Sequence, residues 1–110
     1  NIYVAREGSD QIRFGISFLK LRGETTMAYD YDKTHLLVLK LDYDNQTAQL
    51  FVDPKLDAQE PAEADCTVNG DEENILKHAI RAISFRNRSG YIGNVGNFRL
   101  SDSWDGVIAQ

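Results

Sequence analysis

Two Asp-Tyr-Asp triplets are the residues of this chain best suited to chemistry: Asp30-Tyr31-Asp32 and Asp42-Tyr43-Asp44. On a strand, side chains two positions apart project to the same side, so each triplet would present a pair of carboxylates. A hard cation such as calcium takes oxygen ligands of this kind, which makes Asp30, Asp32, Asp42 and Asp44 candidate calcium ligands. Asp is also a favoured turn former at strand ends, and neither triplet has the Gly and distal Glu of a dedicated calcium loop. The turn role therefore outweighs the metal role. The aromatic residues suggest a second chemistry. Tyr29, Tyr31 and Tyr91 could stack on a ring-shaped ligand while neighbouring Asp, Asn and Arg supply hydrogen bonds, and Tyr29 and Tyr31 would share one strand face near a chain reversal. These three are candidate ligand-binding residues, weighed against the commoner role of an aromatic side chain in a core.

Other catalytic constellations are absent from the sequence. His35 and His78 stand near no recognisable Ser or Cys nucleophile motif, and polar surface or loop roles suit both. Cys66 is the single cysteine, so no internal disulfide can form, and a small packed side chain is its expected role. Glu60 to Asp65 and Asp71 to Glu73 are acidic, yet their loop-like composition lacks the alternation that would aim two carboxylates into one cleft. Gly90, Gly93 and Gly96 recur every third residue but lack the strand and helix that a phosphate-binding fingerprint requires. The net charge of −5 repels phosphate backbones, which argues against nucleic acid as a partner. No apolar run approaches the roughly 20 residues that cross a bilayer as a helix.

The elements that would position these residues are strands. From His35 onward, Leu37, Leu39, Leu41 and Tyr43 share one side and Leu36, Val38, Lys40 and Asp42 the other. Asp44-Asn45-Gln46 then supplies a turn, and Ala48, Leu50 and Val52 alternate with Thr47, Gln49 and Phe51 until Pro54 removes a ladder donor. This is a half-buried antiparallel hairpin. Ile2 to Ala5 reads as a strand, Arg6 to Asp10 as a turn, and Ile12, Phe14, Ile16 and Phe18 as the apolar face of the next strand. Arg22-Gly23-Glu24 reads as a turn and Thr25 to Tyr31 as a short strand. Pro54 to Glu73 reads as the longest loop, followed by one helical turn near Glu72 to Lys77, a strand from about Ala79 to Arg88, and a final strand through Gly93, Gly96, Phe98 and Leu100. About seven strands and one small helix in 110 residues suit a single all-β domain, an antiparallel β-sandwich.

At this point LLVLKLDYDNQTAQLFVDP with its acidic loop ending in AEAD, together with IRAISFRNRSGYIGNVGNFRLSDSWDGV, resembles the late strands of the concanavalin A-like lectin and glucanase superfamily, in its laminin G-like branch. The resemblance covers about Thr34 to Val107 and implies a jelly-roll sandwich whose N-terminal part is missing, with Trp104 packing a terminal strand. The chain then reads as a fragment of a longer protein, beginning Asn-Ile-Tyr without a signal peptide. Unpaired strand edges are expected to await a missing segment or a second chain. Calcium fits the laminin G-like branch. The superfamily's glycosidases resemble one another in an acidic E-x-D-x-x-E strand motif that this chain lacks. The implied function is a non-catalytic recognition module of a secreted, periplasmic or cell-surface protein that binds carbohydrate. A protein-interaction or structural domain, or the C-terminal fragment of a glycoside hydrolase or lyase, are the alternatives.

Overall fold

The computed structural model describes residues 1–57, 59–77 and 93–108. Its strands are β1 (Ile2–Glu7), β2 (Gln11–Phe18), β3 (Leu21–Glu24), β4 (Tyr29–Asp30), β5 (Leu37–Asp42), β6 (Thr47–Val52) and β7 (Cys66–Asn69), and a short helix, α1 (Trp104–Ile108), follows. They form two antiparallel sheets. In the first, β1 pairs with β2 from Gln11 to Ile16, while β3 and β4 share the other side of β2, β3 opposite Gly15 to Phe18 and β4 opposite Gln11 and Ile12. The second sheet has the order β5-β6-β7.

The alternation that makes β2 and β6 strands also makes them face each other. Ile12, Phe14 and Ile16 of β2 pack against Ala48, Leu50 and Val52 of β6 and Cys66 and Val68 of β7, with Leu37 and Leu41 of β5 at the margin. Water is shut out most completely at Leu50 and Ala48, both 0% exposed. Burying a side chain of leucine size contributes roughly 1.5–3 kcal/mol, so this layer is the main source of stability. The all-β sandwich expected from the alternation is therefore the architecture of the described residues.

Several local expectations are corrected. The reversal after β2 falls at Leu19 and Lys20, with Leu19 in the left-handed region at φ 52°, and Arg22-Gly23-Glu24 is strand. Gly23 is needed for a different reason: a Cβ there would lie 2.9 Å from Val68 Cγ2 and 3.1 Å from Cys66 Sγ, so its bare backbone lets β3 approach β7. The strand expected over Thr25 to Tyr31 shrinks to β4. Thr25 itself is buried and fastens the stretch between β3 and β4 to β2: its amide donates to the Phe14 carbonyl (2.8 Å) and its hydroxyl to the Met27 carbonyl (2.8 Å). The long loop is interrupted by β7, whose Cys66 and Val68 point inward while Thr67 and Asn69 point out.

The helical turn expected over Glu72 to Lys77 is absent, because Asp71 captures the backbone first. Its Oδ1 accepts from the amides of Glu73 (2.9 Å) and Asn74 (2.7 Å), a side-chain turn that competes with helix. Asn74 in turn accepts from the Lys20 amide, and Gln46 accepts from the Leu76 amide, so this segment is stitched onto two hairpin turns. The strand expected over Ala79 to Arg88 lies outside the described residues. The final strand expected over 93–100 does not form; those residues have no regular structure. Beyond them Ser103 caps α1, its hydroxyl accepting from the Gly106 amide at 3.1 Å. Trp104, expected to pack a terminal strand, instead opens this helix and packs on β5 and β6. With Val107 and Ile108 it covers Val38 and Phe51 on the outer face of the second sheet. At the opposite flank β1 pairs on one side only among the described residues, and Ile2 and Val4 are each 39% exposed.

Candidate functional site

Where β6 ends, the chain turns sharply at Asp53, whose backbone lies in the left-handed region at φ 50°. Asp tolerates that conformation when its side chain bonds nearby backbone, and here its Oδ1 accepts from the Leu36 amide (2.8 Å) while its own amide donates to the Leu36 carbonyl (2.8 Å). Its other oxygen, Oδ2, lies 2.7 Å from His35 Nδ1, and His35 Nε2 lies 2.9 Å from the Asp30 carbonyl at the end of β4. The imidazole is only 10% exposed and packs near-perpendicular to Phe14 (5.6 Å between centroids) and Tyr29 (5.7 Å). This ties the second sheet, through His35 and Asp53, to the first sheet through β2 and β4.

Beside this tie lies a concavity of about 380 Å³ whose walls include Asp53, Pro54 and Lys55 on one side and Gln59, Glu63 and Asp65 on the other. Asp65 is placed by two bonds to β6: its amide donates to the Leu50 carbonyl (2.9 Å) and its Oδ2 accepts from the Val52 amide (2.7 Å). The loop is anchored again by Glu60, which meets Lys40 of β5 at 2.9 Å. Tyr29 connects core and concavity. Burial first, then the negative charges of Asp65 and Asp53, raise the pKa of its phenol, which keeps the hydroxyl protonated and able to donate.

The wall offers carboxylate, amide and ammonium groups above the apolar surfaces of Val52, Pro54 and Pro61, a combination suited to a hydroxyl-rich ligand. It is poorly suited to nucleophilic catalysis. Both nitrogens of His35 are already engaged by oxygen acceptors, and Cys66 is buried in the inter-sheet core, with its thiol pKa raised by that burial.

The residues singled out by sequence are dispersed. Tyr29 spends its ring on Phe14 and His35, half-buried against the core, whereas Tyr31 is 45% exposed just past β4. Tyr91 lies outside the described residues, as does His78. Asp30 pairs with Lys33 at 2.9 Å, which lowers its carboxyl pKa, and Asp32 is exposed beside it. Asp42 accepts from the amide (3.0 Å) and side chain (2.8 Å) of Asn45, holding the β5–β6 turn with Asp44 within it. Among the described residues no three His, Cys, Asp or Glu side chains converge as a metal site, so neither Asp pair is carried forward as one. His35, Asp53 and Asp65 were not recognisable as a group. The available signal was an Asp at the end of a strand, directly before Pro54, and a His directly before another strand. Their meeting depends on the β5–β6 register, which sets Leu37 opposite Val52.

Compared with known proteins, the chain matches no family model, no curated protein and no solved structure.

Proposed function

We propose that this protein is a non-catalytic recognition module of the concanavalin A-like, laminin G-like kind, part of a secreted, periplasmic or cell-surface protein, and that its ligand is a carbohydrate bound in the concavity beside β6. The observation that carries this reading is the makeup of that concavity. Gln59, Glu63 and Lys55 line it with acceptors and donors, Val52, Pro54 and Pro61 add apolar surface, and Asp53 and Asp65 are held by backbone bonds, so a ligand would meet a partly pre-ordered wall. Hydroxyl groups of a sugar pair with such side chains, and its C–H faces pack on apolar surface. Tyr31, next in the chain to Asp30, adds an exposed aromatic ring on the neighbouring β4 end.

The test is titration calorimetry of the protein against a panel of soluble polysaccharides, with and without calcium. Heat with at least one of them is expected, together with an affinity loss of roughly tenfold or more in the Gln59→Ala/Glu63→Ala double variant, since each lost polar contact leaves a sugar hydroxyl unpaired. No heat with any member, in either condition, overturns the reading.

A further inference from the structure

We propose that His35 is held as an imidazolium and acts as a proton-operated latch between the two sheets, setting the rigidity of the wall that Asp53 contributes to the concavity; this last consequence rests on the ligand-site reading above, whereas the latch does not. The geometry requires the charge. The two atoms facing the ring nitrogens, Asp53 Oδ2 at 2.7 Å and the Asp30 carbonyl at 2.9 Å, are acceptors with no proton to give. A neutral imidazole carries one N–H, so it could make one of these bonds and would point a lone pair at the other oxygen. Only the doubly protonated ring makes both.

The surroundings act in the same direction. Asp53 faces the ring from the end of β6, Asp30 and Tyr29 from β4, and Phe14 from β2. Lys33 pairs with the Asp30 carboxylate at 2.9 Å, the charge of Asp30 also favours the imidazolium, and Asp65 acts on the Tyr29 phenol. Burial pulls the His35 pKa down, but the bond to the Asp30 carbonyl and the bond and charge of Asp53 outweigh it and leave the pKa above its ordinary value. A group whose folded pKa is raised contributes stability that is fully present below its unfolded value, about 6.5, and is lost as pH rises through the folded value. Loss of the proton therefore unfastens β4 from Asp53 on the alkaline side and leaves the latch closed on the acidic side.

Nitrogen NMR of the wild-type protein reads the latch directly, with the His35 signals assigned by their absence in His35→Gln. Both ring nitrogens should be protonated at about pH 6 and titrate together with a midpoint above about 6.5. Over the same range, amide exchange at Leu36 and Asp53, corrected for its intrinsic pH dependence, should accelerate by roughly fivefold, as the loss of one hydrogen bond implies. A neutral tautomer at about pH 6, or a midpoint at or below 6.5, would overturn the proposal. So would protonation without any change in exchange, because the ring would then fasten nothing. None of these readouts uses a sugar, so failure of the carbohydrate titrations leaves them standing and the two ideas fail separately.

Discussion

The two faces of the second sheet are covered in different ways: the inner one is apolar along β6, whereas the outer one is apolar at Val38 and Phe51 and polar at Lys40, Gln49 and Thr67. Its inner face meets another sheet, and eight buried side chains contributed by β2, β6 and β7 interlock there. Among the described residues its outer face meets α1, a helix of five residues, and Val38, Phe51 and Ile108 are buried there, with Trp104, Val107 and Ala64 around them. Each inner side chain is placed by a strand ladder that is itself hydrogen-bonded along its length. The outer cover is held by one cap at Ser103 and by ring contact between Phe51 and Trp104, 5.0 Å apart and near perpendicular. A polar flaw accompanies it: the Trp104 Nε1 is buried without a hydrogen-bond partner among the described residues. Sheet-on-sheet packing makes a core cooperative, whereas a short helix laid on a sheet makes a patch that can come off alone.

This contrast can be broken most directly at Leu50. Leu50→Ala opens a cavity in the inner layer and should cost about 2–5 kcal/mol, seen as a lower midpoint in urea for the loss of β signal, with Trp104 becoming exposed at or before that midpoint. If Trp104 stays buried after the far-ultraviolet β signal has gone, the inner layer does not organise the whole. Gly23→Ala probes the same layer by overfilling. The added methyl meets Val68 and Cys66, and a loss of roughly 1–3 kcal/mol is expected; a neutral result would mean that β3 and β7 are free to separate. The smallest effect belongs to the outer patch. Trp104→Phe removes the unpaired N–H, whose burial costs about 1–3 kcal/mol, and also some apolar contact, so the net change should stay within about 1 kcal/mol of zero. A large loss would show that this ring, and with it α1, matters as much as the inner core.

Legibility followed the same division. The β5–β6 hairpin and β2 were readable because Leu37, Leu39 and Leu41, Ala48, Leu50 and Val52, and Ile12, Phe14, Ile16 and Phe18 place apolar residues at every second position, and a period of two has only one way to bury its apolar half. Strand β7 was hidden by its flanks: two inward residues, Cys66 and Val68, sit between acidic stretches that read as loop. Gly23 reads as a turn residue because nothing local distinguishes a glycine that bends the chain from one that admits a neighbouring strand. Asp71 similarly resembled a helix-starting acid, whereas its carboxylate folds the next residues into a turn of its own. The candidate site was less legible still. Asp30, Asp32, Asp42 and Asp44 were conspicuous by spacing, yet they serve ion pairs, turns and solvent, while His35 and Asp53 carried no motif at all.

The sequence by itself determined the class of architecture, since alternating apolar residues bounded by turn formers commit the chain to strands with one face buried. Tertiary structure alone decided which polar residues meet. His35 and Asp53 become neighbours only when β5 and β6 pair in register, and Asp30 joins them only when β4 has docked on β2 and the two sheets have closed. Side-chain alternation is a property of adjacent residues, but an imidazole that meets oxygens on two sheets exists only after distant segments have been brought within 3 Å.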